Sequence, residues 1–218
     1  STIKHQLGDK VNVCVEPSRR DTFPAIALAS VYLHEIKKVD LDEAVIVCPV
    51  DPYADELYFK ALAELADVVE TSDANLVLMG IQPTYPSEKY GYIIPESNEK
   101  ISSVRTFKEK PSTEVAKQYI EQGALWNGGV FAFKLGYLYN LVCQQVNFDN
   151  YDDLFNHYNC LEKTSFDYAV VEKEPKITVM RFAGEWKDLG TWNTLTEAMD
   201  EQIVGPAMMD EKKIGRAS

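Results

Sequence analysis

Short runs of β-branched and other apolar residues alternate, in the first half of the chain, with longer stretches whose apolar positions recur at helical spacing. Residues 11–15, 44–50 and 75–81 read as strands, and residues 24–38 and 54–70 as the helices between them, a βαβαβ pattern. Nearly every position from 44 to 50 is apolar, which predicts a central strand buried on both faces. Asp21 and Thr22 are placed to cap the first helix, and Pro24 suits its first turn, where no amide hydrogen is needed. The loop at 16–21 then falls at the carboxyl end of a strand, the edge on which open α/β sheets bind ligands.

Beyond Ile81 the rhythm changes. Hairpin-like strands are expected at 90–95 and 104–108, then a short helix at 113–121, a strand at 126–133, helices at 135–145 and around 166–173, and a strand at 177–182. Residues 3–7 read as the end of a helix without a beginning. No internal repeat or low-complexity linker interrupts the pattern, which predicts one layered α/β core over residues 1–200 and a polar tail at 201–218.

Composition narrows the function classes. With 218 residues, 45% hydrophobic and 26% charged, the chain carries one sizeable core, and disorder or a fibrous repeat is excluded. Its 22 Lys+Arg against 34 Asp+Glu give a net charge of −12, which repels phosphate backbones and anionic lipid over the molecule as a whole, so no nucleic-acid partner is expected. A local cluster of basic groups and a divalent cation still attracts a small phosphorylated ligand. The apolar runs fall far short of the roughly 20 residues that span a bilayer, and no secretory signal opens the chain, so no membrane contact and a cytoplasmic location are expected. Cys14, Cys48, Cys143 and Cys160 show no C-x-x-C spacing and read as buried thiols. His5, His34 and His157 lack zinc-site spacing, so any metal should be held by oxygen.

Several segments carry candidate chemistry, each beside a plainer reading. Arg19 and Arg20 precede a helix amino terminus, suited to an anion, or form an exposed turn. Asp51 follows an apolar strand and either shares magnesium with substrate phosphates or turns the chain and caps the next helix. Asp188, in Trp186-Lys187-Asp188-Leu189-Gly190-Thr191-Trp192, is a further such carboxylate or another cap. The run Phe107-Lys108-Glu109-Lys110-Pro111 and the run Trp126-Asn127-Gly128-Gly129 offer carboxylate, amide and open backbone to sugar hydroxyls, or are a charged strand end and a bulge. Ser165-Phe166-Asp167-Tyr168 reads as a capped helix start. Spacing alone does not unite Asp51 and Asp188.

Taken in order, Glu16-Pro17-x-x-Arg20, Pro49-x-Asp51, Gly80-Ile81-x-Pro83-Thr84 with Tyr90-Gly91-Tyr92-Ile93, Phe107-x-Glu109-Lys110-Pro111, Trp126-Asn127-x-Gly129, Asp167-Tyr168-Ala169-Val170 and Trp186-x-Asp188-x-Gly190-x-Trp192 resemble the bacterial mannose-1-phosphate guanylyltransferases, within the sugar nucleotidyltransferases. The resemblance runs from about residue 6 to residue 197. It implies a Rossmann-like mixed, mostly parallel sheet with helices on both faces. It also implies transfer of a guanylyl group from GTP to mannose 1-phosphate, giving GDP-mannose and pyrophosphate without a protein nucleophile. By the same resemblance Asp51 and Asp188 match magnesium ligands, and Lys110 a lysine near the sugar phosphate. Glu109, Asn127 and the backbone around Gly91 match sugar-binding positions, with Tyr92, Gly129 and Asp167 in the same motifs. Glu16 and Arg20 belong to the nucleotide-side loop, and a homodimer is a family-level expectation.

Asp21, Phe23, Pro52, Lys89 and Gly128 depart from the usual Asn, Ala, His, Gly and Ser of that family. The glycine-rich G-x-G-x-R loop with which family members begin does not occur, nor does a β-helical or cupin-like extension. The expectation is a core fragment that is inactive or very weak alone. The alternatives are a related enzyme using another base or sugar 1-phosphate, and a catalytically dead domain that keeps the sugar site.

Overall fold

The computed structural model describes residues 5 and 7–188. Gly190, Trp192, the expected tail at 201–218 and most of the expected helix end at 3–7 lie outside the described residues. Helix α1 (Thr22–Glu35) begins at Asp21, whose side chain accepts a 2.7 Å hydrogen bond from the Thr22 amide. It buries Phe23, Ala27, Leu28 and Val31, the stripe that helical periodicity puts on one face. The chain continues through β1 (Ala44–Val47), β2 (Pro52–Ala54), α2 (Glu56–Thr71), β3 (Leu76–Ile81), β4 (Tyr92–Pro95), β5 (Ile101–Lys108) and α3 (Thr113–Glu121). Then follow β6 (Leu125–Lys134), α4 (Leu135–Gln145), α5 (Tyr151–Asn156), α6 (Phe166–Ala169), β7 (Ile177–Phe182) and β8 (Trp186–Asp188).

Among the described residues, one sheet has the order β1-β6-β3-β7-β5-β4, with β4 also meeting the start of β6, while β2 and β8 form a separate ribbon. Side chains alternate across the sheet. Leu76, Leu78, Phe131, Phe133, Ile177 and Val179 pack with α1, α4 and α6, whereas Val77, Met79, Ile81, Ala132, Met180 and Phe182 pack with α2. Strand β3 lies between β6 and β7, so all six of its residues are buried.

The layered α/β architecture with a mixed sheet and helices on both faces is as expected, but parallel pairing does not predominate. Among the described strands only β3 and β7 pair in parallel; β6 runs against both β1 and β3, and β5 against both β4 and β7. Strands β1 and β3 do point the same way, connected through α2, yet β6 occupies the place between them. Among the described residues β1 has β6 as its one neighbour and so lies at an edge, half-buried throughout and ending at Val47, rather than being a central strand reaching Val50.

Residues 11–15 form no strand, and Val11 and Val15 are exposed. β propensity does not suffice where no neighbouring strand takes the amide and carbonyl groups. The cysteines are free, but Cys48, Cys143 and Cys160 are exposed and Cys14 half-buried, which corrects the expectation of buried thiols. Cys48 lies just past the end of β1, and Cys160 ends a single turn at Tyr158–Cys160. No helix among the described residues is long and apolar enough to cross a membrane.

Candidate functional site

Strand register assembles the central cluster. Tyr92 pairs with Lys108 of β5 and with Trp126 of β6, so the residue before it, Gly91, lies between Glu109 and Asn127, one step further along each neighbour. The Asn127 amide donates to the Gly91 carbonyl at 2.8 Å. A Cβ on Gly91 would stand 2.5 Å from Glu109 Oε2 and 2.8 Å from the Phe107 ring, so close approach, rather than backbone dihedral, requires glycine here. Ile81 pairs with Trp126, which places the cluster at the carboxyl end of β3.

A bulge in β6 aims Asn127. Between the pairs Leu78–Phe131 and Gly80–Asn127, residues 128–130 face only Met79. Gly129 takes φ +72°, which glycine adopts without steric cost. The Asn127 Oδ1 accepts from the Gly129 amide at 3.1 Å, and its Nδ2 donates to Asp167 Oδ1 at 2.6 Å. Asp167 sits in the first turn of α6, which Ser165 caps. The bulge and the placed amide are thus the same feature.

Glu109 is 6% exposed. Its Oε1 lies 3.1 Å from Lys110 Nζ, and its Oε2 is buried with no hydrogen-bond partner. Burial first, and then the Asp167 charge, push the Glu109 carboxyl above its ordinary range against the pull of Lys110. Asp167 is raised too, chiefly by burial, although Asn127 and Lys110 oppose the shift. For Lys110, burial draws the pKa down, but the hydrogen bond to Glu109 and the charges of Glu109 and Asp167 outweigh it and leave it raised. Lys110 has φ +43°, an uncommon setting for a residue with a Cβ. A buried oxygen without a donor is costly.

Asp51 is exposed in the loop between β1 and β2. Its neighbour Pro52 is registered with Asp188 in the ribbon, so the fold brings the two aspartates to adjacent places, which spacing did not. The helix that follows is capped by Asp55, not Asp51. Asp55 Oδ1 accepts from the amides of Leu57 and Tyr58, and its Oδ2 accepts from the Glu185 amide at 3.1 Å, tying the two sides of the ribbon together. Tyr90 joins the ribbon to the Gly91 cluster: burial, with Tyr85 and Asp188 beside it, pushes its phenol well above the ordinary range, and its ring packs on Trp126 and Trp186. A cavity of about 320 Å³ lined by Gln82, Thr84, Trp186 and Lys187 opens beside it.

Among the described residues no group of three His, Cys, Asp or Glu side chains converges to hold a metal. Two aspartates at neighbouring register positions fit magnesium, which seldom uses a cage made only of protein groups and takes the rest of its coordination from water or other oxygens.

Other expected site residues have structural partners. Tyr92 is fully buried, and its hydroxyl is engaged by the Ser87 amide, the Ser87 carbonyl and the Trp126 indole. Its side chain is thereby fixed inside the core beside the cluster. Arg20 donates to the Leu161 carbonyl at 2.9 Å, and Glu16 accepts from the Tyr158 hydroxyl at 2.8 Å, so both bind their loop to the 158–161 turn. The α1 amino terminus offers little to an anion, because Thr22 N is used by Asp21, Phe23 N by the Thr164 carbonyl, and Pro24 has no amide hydrogen. Sequence reasoning missed Asp55, Tyr90 and the ribbon. Asp55 carried a signal, an Asp at the start of a helical pattern, but three-residue strands leave no periodicity to detect.

Fold and cluster define a class, a layered α/β domain that gathers carboxylate, amide and lysine groups at the carboxyl end of its central strand β3. The family model for nucleotidyl transferases matches residues 2–203, and the chain belongs to that family. It is 32% identical over 211 residues to the mannose-1-phosphate guanylyltransferase of Escherichia coli, covering 85% of this chain and 45% of that protein. Against the xanthan biosynthesis protein XanB of Xanthomonas campestris pv. campestris it is 31% identical over 223 residues, 93% of this chain and 46% of that one. The chain thus spans about half the length of these relatives. The crystal structure of a mannose-1-phosphate geranyltransferase from Thermus thermophilus aligns with a TM-score of 0.76 at 29% identity, over 91% of this chain and 61% of that one. A UDP-glucose pyrophosphorylase in complex with UDP-glucose shares the fold, with a TM-score of 0.59 at 15% identity over 86% and 64% of the two chains.

Proposed function

We propose that the protein acts in guanylyl transfer from GTP to mannose 1-phosphate, yielding GDP-mannose and pyrophosphate, with the Gly91 cluster as the sugar side of the site. The observation that carries this reading is the unpartnered Glu109 Oε2 held against Gly91. In this reading Glu109 accepts a sugar hydroxyl, Asn127 donates its remaining amide hydrogen to a neighbouring sugar oxygen, and Lys110 turns from Glu109 towards the phosphate. A phosphate oxygen of the sugar attacks the α-phosphorus of GTP, a new P–O bond forms, and the bond to the bridging oxygen breaks to release pyrophosphate. The nucleophile is already anionic, so alignment and charge neutralisation are what the protein supplies. Magnesium, held by Asp51 and Asp188, would neutralise phosphate charge.

Formation of GDP-mannose is followed with GTP, mannose 1-phosphate and magnesium, with ATP, UTP and glucose 1-phosphate as competitors. Product that depends on both substrates and resists the competitors is expected. Preferential use of another base or sugar would assign a related nucleotidyltransferase, and sugar-phosphate binding without transfer by the full-length gene product would assign a binding domain.

A further inference from the structure

We propose that Asp167 is a positioning residue, which fixes the Asn127 carboxamide so that an amide hydrogen remains available to the ligand. The inference rests on the reading of the Gly91 cluster as the sugar side. A carboxamide has an accepting oxygen and two donating hydrogens, and its two faces are nearly isosteric, so its partners decide its orientation. At Asn127 the partners agree: the Gly129 amide donates to Oδ1 at 3.1 Å and Asp167 Oδ1 accepts from Nδ2 at 2.6 Å. A flipped carboxamide would turn its NH2 group on the Gly129 N–H and its oxygen on the carboxylate.

One Nδ2 hydrogen is left over. Asn127 is 7% exposed and flanks Gly91 on the side opposite Glu109, whose free Oε2 accepts only. The two sides of Gly91 therefore offer one fixed donor and one fixed acceptor, which neighbouring hydroxyls of a pyranose satisfy together. Asp167 does not need to touch the sugar. Its Oδ1 is taken by Asn127, and it stands among the charges of Lys110 and Asp21, where a second anion facing a sugar phosphate would repel it.

The test is a double-mutant cycle read by calorimetric titration of mannose 1-phosphate into the protein, with cooperative melting as the folding control. Asp167→Ala and Asn127→Ala should each weaken binding about tenfold or more, as expected for loss of a hydrogen bond involving a charged group. The double variant should be no weaker than Asn127→Ala alone. Asp167→Asn, whose own carbonyl still accepts from Asn127, should recover most of the affinity, whereas Asp167→Leu, which fills the space but cannot accept, should not, a contrast that a purely packing role would not predict. Asp167→Ser keeps a polar group but is too short to reach Asn127, and it runs the same cycle should the alanine variant fail to melt cooperatively. Additive losses, or sugar-phosphate binding that survives truncation of Asp167, overturn the positioning role while leaving the substrate reading intact. A wild-type protein that binds no mannose 1-phosphate overturns the substrate reading and this inference with it.

Discussion

The two halves of the candidate site are built by different means. Gly91, Glu109 and Asn127 are fixed by the ladders of three adjacent strands, so their mutual placement follows from pairing at Tyr92. Asp188 ends, and Asp51 directly precedes, the strands of a three-residue ribbon tied to α2 through Asp55. The first half buries its charge and bears the cost in raised carboxyl pKa values; the second leaves Asp51 exposed. Sheet register suits a site that must discriminate, because it holds donors and acceptors in fixed geometry. A ribbon on loops suits an ion that takes part of its coordination from substrate.

The largest effect should fall on the ribbon. In a GDP-mannose assay Asp51→Asn and Asp188→Asn should each lower turnover by about a hundredfold or more, with melting temperature little changed because no volume is lost. Unaltered turnover in saturating magnesium would remove both from the site. Next comes Gly91→Ala, which drives a methyl group into Glu109 and Phe107. It should cost about 1–3 kcal/mol of stability and displace Glu109 Oε2, and a variant with wild-type affinity and melting temperature would contradict the close approach.

Glu109→Gln should separate stability from binding. Both raised carboxyls bind protons more readily in the folded state than in the unfolded chain. Stability from this source is complete below the unfolded carboxylate range near pH 4 and is lost as pH rises through the raised folded values. At pH 7 the loss is therefore present, and Glu109→Gln should stabilise by about 0.5–2 kcal/mol while weakening sugar-phosphate affinity. Melting curves across pH 4–8 should show a smaller gain on acidification for the variant than for wild type; identical profiles would contradict the account. The smallest effect is expected at Asp55→Ala, about 1 kcal/mol for the lost cap, with a raised magnesium requirement because Glu185 also loses its anchor.

Much of this was legible in the sequence where a feature is local. The capping of α1, the run that becomes β3, and the Asn-Gly-Gly bulge all announce themselves through residue type and spacing. What the sequence did not disclose depends on neighbours. Among the described residues, 11–15 have strand composition but no partner strand, and 44–47 has the composition of a central strand yet lies at an edge. The antiparallel insertion of β6 between β1 and β3 leaves no trace in the periodicity of any of the three. Tyr92 shows the same limit within the site, since its motif gives no sign that its hydroxyl closes a buried network with Ser87 and Trp126.

The central claim is that the free Glu109 oxygen beside Gly91 reads a sugar hydroxyl, and its most direct test compares mannose 1-phosphate with inorganic phosphate in parallel titrations of wild type and Glu109→Gln. The account predicts saturable binding of the sugar phosphate to wild type, at least about tenfold tighter than phosphate, with that preference lost in the variant. Equal affinity for the two ligands, or a preference that survives Glu109→Gln, would contradict it.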